Sequence, residues 1–249
     1  MNQAEKLIKN WSDGSSGYTN IVLDELAGFK KQAWTDLILR NTGQERKPLE
    51  ILDVGAGPGF FAIIMTQAGH KVTAVDCTEA MIDEARGNAG RLDLDINFRM
   101  ADSHQLDFSD ESFDLVISRN VAWTLLEPEE AYLEWRRVLR PGGRTLIFDA
   151  NWNIRYFNSQ YMEAYERDLE EFKKRYPEKE VPYYSDEMIE FRKGMPMCQR
   201  LRPQWDLVAL IEAGYSAVSC DTRIWREIYD ESEQIVNRST PMFMLTADR

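Results

Sequence analysis

The 249-residue sequence is poor in the side chains that build metal centres and disulfide frameworks, since it has only three cysteines and two histidines. The cysteines, Cys77, Cys198 and Cys220, are odd in number and do not have the spacing of metal ligands. We therefore expect free thiols in a reducing cytoplasm, and no metal site.

Long basic runs and long apolar runs are also missing. Acidic residues outnumber basic ones by 42 to 30, and the formal net charge is -12. The basic cluster at 173–175 follows several acidic side chains, so we expect no nucleic-acid partner. No segment has the apolar length of a membrane span, and the first residues lack the apolar stretch of a signal peptide. These absences predict a cytoplasmic protein without a membrane span, either a monomer or a homodimer.

Short apolar runs bounded by Gly or Pro alternate with helically spaced segments through the middle of the chain. The predicted strands are Leu49–Val54, Lys71–Asp76, Ile96–Met100, Phe113–Ser118 and Arg144–Asp149. The predicted helices are Phe60–Gln67, Glu79–Arg86 and one that begins at Pro128 and ends at the turn Pro141–Gly143. This order is typical of an α/β fold with a Rossmann-like, doubly wound, parallel sheet.

The flanking segments complete a single domain over 1–249, with its core at 49–150. Residues 1–43 are predicted to form an N-terminal helical lid, with helical spacing from Ile21 to Leu39. Residues 151–203 form a cap insertion, which is too short and too poor in its own core to stand alone. Residues 204–249 supply a helix and two further strands, near Ala217–Asp221 and Met242–Ala247.

The central motif is the glycine-rich run Asp53–Gly59, which connects the first predicted strand to the first predicted helix. Glycines there allow the backbone to approach a ligand, and a helix start offers unpaired N–H groups. Asp76 ends the next strand, where its carboxylate can accept both hydroxyls of a ribose. The same arrangement could hold NAD. However, the dinucleotide fingerprint needs a third glycine at the position of Phe60, so NAD is the weaker interpretation.

Four segments resemble the successive motifs of the class I S-adenosylmethionine (SAM) dependent methyltransferases. In order they read ILDVGAGPG, VTAVDCTEAMIDEAR, ADSHQLDFSDESFDLVISRN and EEAYLEWRRVLRPGGRTLIFD. They are similar in particular to the group related to the ubiquinone and menaquinone biosynthesis methyltransferases (methyltransferase type 11). The resemblance covers about residues 49–149 and implies SAM as the cofactor, with a seven-stranded, mostly parallel sheet that ends in a hairpin.

The resemblance also assigns the cofactor contacts by position. It implies that Gly55, Gly57 and Gly59 wrap the methionine half and the ribose of SAM. Asp53 would face the amino-acid end, and Asp76 would accept the ribose hydroxyls. An acidic Asp53 suits the cationic sulfonium and amino groups of SAM better than it suits a pyrophosphate.

The adenine end of the site is assigned in the same way. Cys77 and Met81 would line the adenine ring, although the family usually has Ser or an apolar residue where Cys77 stands. Ala101 and Asp102, with Ser103 beside them, would place a backbone N–H and a carboxylate at the adenine edge. Trp11 and Tyr18 resemble the aromatic positions of an N-terminal lid that is common in this group, and Tyr18 is a predicted cofactor contact. Core packing is the alternative role for both.

The predicted reacting end lies where the fourth strand ends. Arg119 and Asn120 would sit near the sulfonium, and Asn120 is also the candidate that orients the acceptor. Trp123 is the second candidate catalytic residue, because it could stack on a cationic or planar acceptor. Its alternative role is packing beneath the insertion. His70 is expected at the surface, and His104 near solvent or adenine.

The insertion is the predicted acceptor cap, and two interpretations of its aromatic residues stay open. They line an acceptor pocket, or they are buried by a helix against the sheet. These aromatics are Trp152, Tyr156, Phe157, Tyr161, Tyr165, Tyr183 and Tyr184. Arg155, Arg200 and Arg202 are candidate clamps for a carboxylate, unless they are solvated.

The sequence therefore predicts an enzyme that transfers a methyl group from SAM to an O, N, C or S nucleophile of a small molecule by in-line displacement. One alternative is a SAM-binding regulatory or partner module without turnover. A less favoured one is an NAD-dependent oxidoreductase.

Overall fold

The computed structural model describes residues 2–44, 48–181 and 184–249, and seven strands within them form one sheet. The strands are β1 (Glu50–Val54), β2 (Lys71–Asp76), β3 (Asn97–Met100), β4 (Phe113–Arg119), β5 (Leu139–Asp149), β6 (Ala217–Asp221) and β7 (Phe243–Asp248). Their order across the sheet is β3-β2-β1-β4-β5-β7-β6, and only the pairings of β7 are antiparallel. The predicted seven-stranded, mostly parallel sheet with a terminal hairpin is confirmed.

Helices cover both faces of this sheet. They are α1 (Gln3–Ala27), α2 (Lys30–Asn41), α3 (Phe60–Gln67), α4 (Glu79–Gly90), α5 (Pro128–Val138), α6 (Ser159–Arg175), α7 (Asp186–Lys193), α8 (Gln204–Glu212), α9 (Trp225–Ile228) and α10 (Glu231–Val236). Successive residues of β1 point to opposite faces, so Ile51 joins a core with α2 to α4, and Leu52 joins a core with α5 and α8. Among the described residues, no helix combines the length and the apolar character needed to cross a membrane.

The N-terminal region contains two helices where the periodicity predicts one from Ile21 to Leu39. The first is longer at its start, where Asn2 and Glu5 form a capping box. Gly28 then adopts an extended conformation, and its N–H donates to the carbonyl of Asp24. The chain turns there, and α2 begins at Lys30.

The start of β5 corrects the predicted turn. The strand begins at Leu139, directly after α5, whereas the sequence predicts a start at Arg144. Phe113 pairs with Leu139 and Leu115 pairs with Arg144, so the Pro-Gly-Gly segment forms a bulge inside the strand. Gly142 has a φ of +76° there, a conformation that favours glycine. The segment therefore bends a paired strand rather than preceding it.

The cap rests on the segment between β6 and β7. Its long helix, α6, packs beside α10. Arg238 donates to Asp168 of α6 at 2.7 Å and to Glu171 of the same helix at 2.7 Å. Helix α6 buries only Asp168 and Phe172, so the interpretation that it buries a row of aromatics against the sheet is wrong.

Candidate cofactor and substrate pocket

A cavity of about 1090 Å³ opens at the carboxyl ends of β1, β2 and β4. Ligands bind at this edge in open α/β sheets. Side chains from α1, the glycine-rich loop and the cap also line it. The predicted site residues that line it are Tyr18, Asp53, Gly55, Gly57, Asp76, Cys77, Met81, Ala101, Asp102, Ser103, Arg119, Asn120 and Trp123. The structure thus brings together residues that are up to 105 positions apart, from Tyr18 to Trp123.

The three glycines of the loop have different roles. A Cβ on Gly55 would lie 2.2 Å from Cγ2 of Val121, and its φ is +69°, so only glycine fits there. Gly57 has a φ of +52°, and a Cβ there would meet no atom within 4 Å because it would project into the cavity. Gly59 is not among the residues that line the cavity; it precedes α3, and a Cβ there would lie 3.2 Å from Cβ of Ala85. Its close packing thus favours glycine, and its ligand contact stays a prediction.

Asp76 connects β2 to the glycine-rich loop. Its Oδ2 accepts a hydrogen bond from the N–H of Gly57 at 3.0 Å. Its Oδ1 accepts hydrogen bonds from the N–H of Thr78 at 3.0 Å and from the hydroxyl of Thr78 at 3.1 Å. Burial raises the pKa of Asp76, and these hydrogen bonds oppose the rise. The carboxylate is thus held in one orientation at the cavity wall, as recognition of two adjacent hydroxyls requires.

Asp53 lies deeper, with only 2% of its surface exposed. It accepts the N–H of Ala62 at 3.1 Å. Burial raises its pKa from 3.8 to about 7, although the charge of Arg119 opposes the rise. A cationic ligand group beside Asp53 would favour the ionised carboxylate, because opposite charges lower the pKa of an acid.

Arg119 extends from the end of β4 into the same region. Its guanidinium lies 2.9 Å from Oε2 of Glu25 on α1, and it stacks 4.6 Å from the ring centre of Phe60. The Arg119–Glu25 ion pair joins α1 to the end of β4 at the cavity wall, and the role of α1 as a lid stays a prediction. Thr19 of the same helix donates to Glu84 of α4 at 2.7 Å.

The predicted adenine edge is only partly available. The Ala101 N–H donates to the carbonyl of Asp76 at 2.9 Å, so this donor is already used. The carbonyl of Ser103 accepts from the Trp135 indole at 3.1 Å. Met81 is buried. Cys77 is half-buried, and this burial raises the pKa of its thiol to about 12, so the thiol stays protonated.

The two histidines differ in position. His104 lines the cavity, and its Nδ1 lies 2.6 Å from Oδ1 of Asp102. The N–H of Glu127 donates to Nε2 of His104 at 3.3 Å, so both ring nitrogens of His104 contact neighbouring loop residues. Burial opposes ionisation of Asp102, but the hydrogen bonds from His104 prevail and lower its pKa. The predicted surface position of His70 is wrong: it is 4% exposed and accepts the N–H of Leu49 at 3.1 Å.

Asn120 and Trp123 occupy the boundary between the cofactor residues and the cap. Asn120 has a φ of +59°, a conformation uncommon for residues other than glycine, and its exposed side chain faces the cavity region. Trp123 is 5% exposed, and its ring lies 5.9 Å from that of Trp11 on α1. It also packs with Met195 and Cys198 of the cap. Trp123 thus packs beneath the cap segment while it lines the cavity, and its stacking on an acceptor stays a prediction.

Only one of the three predicted arginine clamps lines the cavity, and that is Arg155. Arg200 pairs with Glu129 at 3.1 Å. Arg202 is buried between Asp149 and Asp206. Arg192, which no sequence motif singles out, lines the cavity from α7. Of the predicted cap aromatics, Trp152, Tyr165 and Tyr184 line it, Phe157 is exposed, and Tyr183 lies outside the described residues.

Comparison with known proteins gives a family. Residues 52–147 match the family described as "Methyltransferase domain". An arsenite methyltransferase of Halobacterium salinarum is 38% identical over 104 residues, which are 40% of this chain and 26% of that protein. A ubiquinone biosynthesis O-methyltransferase of Roseobacter denitrificans is 33% identical over 107 residues, 43% of each protein. The chain spans between 26% and 47% of the length of the first curated relatives that it matches.

A solved structure agrees over nearly the whole chain. A candidate SAM-dependent methyltransferase of Methanococcus maripaludis superposes with a TM-score of 0.61 at 20% identity, and covers 96% of this chain and 93% of that one. At this identity the likeness shows the fold.

The fold is Rossmann-like, and the cavity opens at the carboxyl edge of its sheet. The domain at 52–147 is similar to the class I SAM-dependent methyltransferases of the type 11 group. This confirms the resemblance that the four motifs indicate, and SAM as the cofactor of the family. The roles of the individual site residues stay predictions.

Proposed function

We propose that this chain binds SAM between the glycine-rich loop and Asp76, and transfers its methyl group to a small molecule held under the cap. One observation carries the proposal. A single cavity joins the loop at Gly57 and the carboxylate of Asp76 to Asn120 and to the cap side chains Tyr165 and Arg192. A donor at one end and an acceptor at the other would meet beside Asn120.

The charges of the cavity support a cationic cofactor. Glu25, Asp53 and Asp76 all line it at the glycine-loop end, and Asp53 and Asp76 are at most 9% exposed. The sulfonium and ammonium groups of SAM are favoured beside these carboxylates, whereas the pyrophosphate of NAD would be repelled. Gly57 leaves space at the same wall, which a Cβ would occupy. The residues present therefore fit SAM.

Bound SAM supplies a methyl group that is already activated by its positive sulfur. The protein's contribution is then position: Gly57 and Asp76 fix the donor, and the cap fixes the acceptor. Alignment of two reactants can remove about 7–11 kcal/mol of a barrier at best without a reacting side chain. Asn120 is placed to accept a hydrogen bond from an amine or hydroxyl nucleophile and to orient it. Trp123, which is buried against Met195 and Cys198, would form part of the cavity wall beside the acceptor.

Calorimetric titration with SAM, S-adenosylhomocysteine and NAD tests the cofactor assignment. We expect SAM and S-adenosylhomocysteine to bind, NAD to be silent, and Asp76→Ala to weaken SAM binding by about tenfold to a hundredfold, as loss of hydrogen bonds to a charged group would. The control is Asp107→Ala, because its fully exposed carboxylate lies outside the cavity. NAD binding with SAM silent would overturn the proposal.

A second measurement separates an enzyme from a binding module. The protein is incubated with methyl-labelled SAM and fractionated small-molecule extracts, and S-adenosylhomocysteine is quantified. We expect it to accumulate with at least one fraction. Saturable SAM binding without S-adenosylhomocysteine in any fraction would favour the module without turnover.

A further inference from the structure

Arg192 is a buried cation that faces the cavity, and it has no carboxylate partner among the described residues. It belongs to α7, and its side chain is 9% exposed although it lines the cavity. Its Nη1 donates to Oδ1 of Asn153 at 3.3 Å, and its Nε has no hydrogen-bond partner. Within residues 2–44, 48–181 and 184–249, no carboxylate lies within ion-pair distance of it. Burial of a charge without a partner is costly, so this site is electrostatically incomplete.

Aromatic rings shape the space around this cation. The guanidinium carbon lies 3.9 Å from the ring centre of Tyr184 and 5.3 Å from that of Trp123. Rings at this distance stabilise the cation through their faces but leave the N–H groups at its edge free to donate. A guanidinium held in this way presents a planar set of donors that matches a carboxylate or a phosphate.

Arg155 provides a second cation of the same kind. It lines the cavity, and its guanidinium carbon lies 4.1 Å from the ring centre of Tyr165. In the described parts of the chain it also forms no ion pair with a carboxylate. The other cavity cations differ, since Arg119 lies 2.9 Å from Glu25 and Lys179 lies 3.4 Å from Asp230. Among the described cavity residues, the arginines without an ion pair are therefore Arg155 and Arg192, both from the cap segment.

The position of Arg192 separates it from the cofactor end. The carboxylates assigned to SAM are Asp53, for its amino-acid end, and Asp76, for its ribose, and they lie at the ends of β1 and β2. Arg192 instead contacts Trp123, Tyr184 and Asn153, all at or beyond the end of β4. The cavity also has carboxylates beside the cap, but Asp230 is paired with Lys179 and Glu233 with Lys30. Arg192 therefore lies on a cap helix, away from Asp53 and Asp76 in the fold.

We propose that the methyl acceptor carries an anionic group, a carboxylate or a phosphate, which Arg192 binds with assistance from Arg155. This inference rests on the proposed function, because it names the chemical class of the acceptor. The anion would satisfy the free Nε of Arg192 and neutralise the buried charge. It would also fix one end of the acceptor, so that its nucleophile lies near Asn120.

The test measures anion binding directly, without any need for turnover. Protein saturated with S-adenosylhomocysteine is titrated with inorganic phosphate, benzoate and benzamide at constant ionic strength. We expect phosphate or benzoate to bind and benzamide, which has a similar shape but no charge, not to bind. Whichever of phosphate and benzoate binds more tightly indicates whether the anionic group of the acceptor is a phosphate or a carboxylate.

The variants assign the binding to one side chain. Arg192→Gln should weaken anion binding by about tenfold or more, and Arg192→Lys should recover part of it, because it restores the charge but not the planar donors. The matched control is Arg200→Gln. Arg200 stacks on Trp205 at the same 3.9 Å distance, but it is paired with Glu129 and does not line the cavity.

The outcomes distinguish failure of the inference from failure of the proposed function. Equal binding of benzoate and benzamide to the wild-type protein would overturn the inference, and this result does not depend on whether any variant folds. Weaker S-adenosylhomocysteine binding in Arg192→Gln with unchanged anion binding would also overturn it, since Arg192 would then serve the cofactor. If the wild-type protein does not bind S-adenosylhomocysteine, the proposed function fails instead.

Discussion

Nη1 of Arg202 lies 2.8 Å from Oδ2 of Asp149, and both side chains are at most 1% exposed. The same guanidinium donates through Nε to Asp206 of α8 at 2.9 Å. Asp149 also accepts the N–H of Trp123 at 2.9 Å. This buried network therefore joins the end of β5, the start of α8 and the loop that carries Trp123. Asp149 has a structural role and does not line the cavity.

We expect Arg202→Gln to lower the free energy of unfolding by about 3–5 kcal/mol, because it leaves Asp149 and Asp206 buried without a cation. Urea unfolding monitored by circular dichroism measures the change. Arg200→Gln is the control, and its exposed pair with Glu129 predicts a loss of no more than about 1 kcal/mol. Similar losses in the two variants would show that the buried network contributes no more than a surface ion pair.

Two glycines of the loop should respond differently to the same change. Gly55→Ala places a Cβ 2.2 Å from Val121, so we expect a large loss of stability. In Gly57→Ala the new Cβ has no atom within 4 Å. We expect the free energy of unfolding to fall by only about 1–2 kcal/mol, the cost of an alanine in the left-handed conformation, and SAM binding to be clearly weaker. Thermal unfolding and calorimetry separate these effects. Unchanged SAM affinity in folded Gly57→Ala would contradict the assignment of this wall to the cofactor.

Much of the fold follows from local sequence. The apolar runs that end at Val54 and Asp76 form β1 and β2 where predicted, because each run is bounded by breakers and buried on both faces. Boundaries decided by pairing are less predictable. The start of β5 at Leu139 depends on its pairing with Phe113, a contact that periodicity does not report. The burial of His70 depends in the same way on the neighbouring Leu49.

The cofactor end of the site was predictable because its parts are motifs, with Asp53, the glycines and Asp76 close in sequence. The acceptor end was not. Arg192, Arg155 and Tyr165 come from different elements of the cap, and nothing in the local sequence distinguishes Arg192 from the buried structural Arg202. Only the packing of the chain decides which arginine meets a carboxylate and which meets a cavity.

Asp53 should make stability depend on pH. Its pKa is raised from 3.8 to about 7 by burial, so between these values the folded protein binds more protons than the unfolded chain. The stabilisation that this provides is present below pH 4 and is lost as the pH rises through about 7. We expect Asp53→Asn, which can still accept from Ala62, to gain on the order of 2–4 kcal/mol relative to wild type between pH 4 and pH 8. Urea unfolding across this range measures the difference. Parallel curves for the two proteins would contradict the prediction.

The same carboxylate should link SAM binding to protons. A cation beside Asp53 favours its ionised form, so SAM affinity should rise from pH 5.5 to pH 7.5, by up to about tenfold per pH unit below the pKa. In Asp53→Asn the dependence should be much weaker. Calorimetry in buffers of different ionisation enthalpy would detect the released proton. A pH dependence of equal slope in both proteins would assign the titration to another group.

Asn120 offers a test that separates its backbone from its side chain. Its φ of +59° favours glycine, so Asn120→Gly should fold at least as stably as wild type, whereas Asn120→Ala should lose about 1 kcal/mol. If the amide orients the acceptor, both variants should lower kcat by about tenfold to a hundredfold at unchanged SAM affinity, because both lack the amide. If Asn120→Gly instead keeps full kcat while Asn120→Ala is impaired, the strained backbone alone explains why asparagine stands there. The two variants therefore distinguish a role of the amide in catalysis from a role of the backbone conformation. The free energy of unfolding of each variant measures the backbone strain, and calorimetric SAM binding checks that the cofactor end is intact.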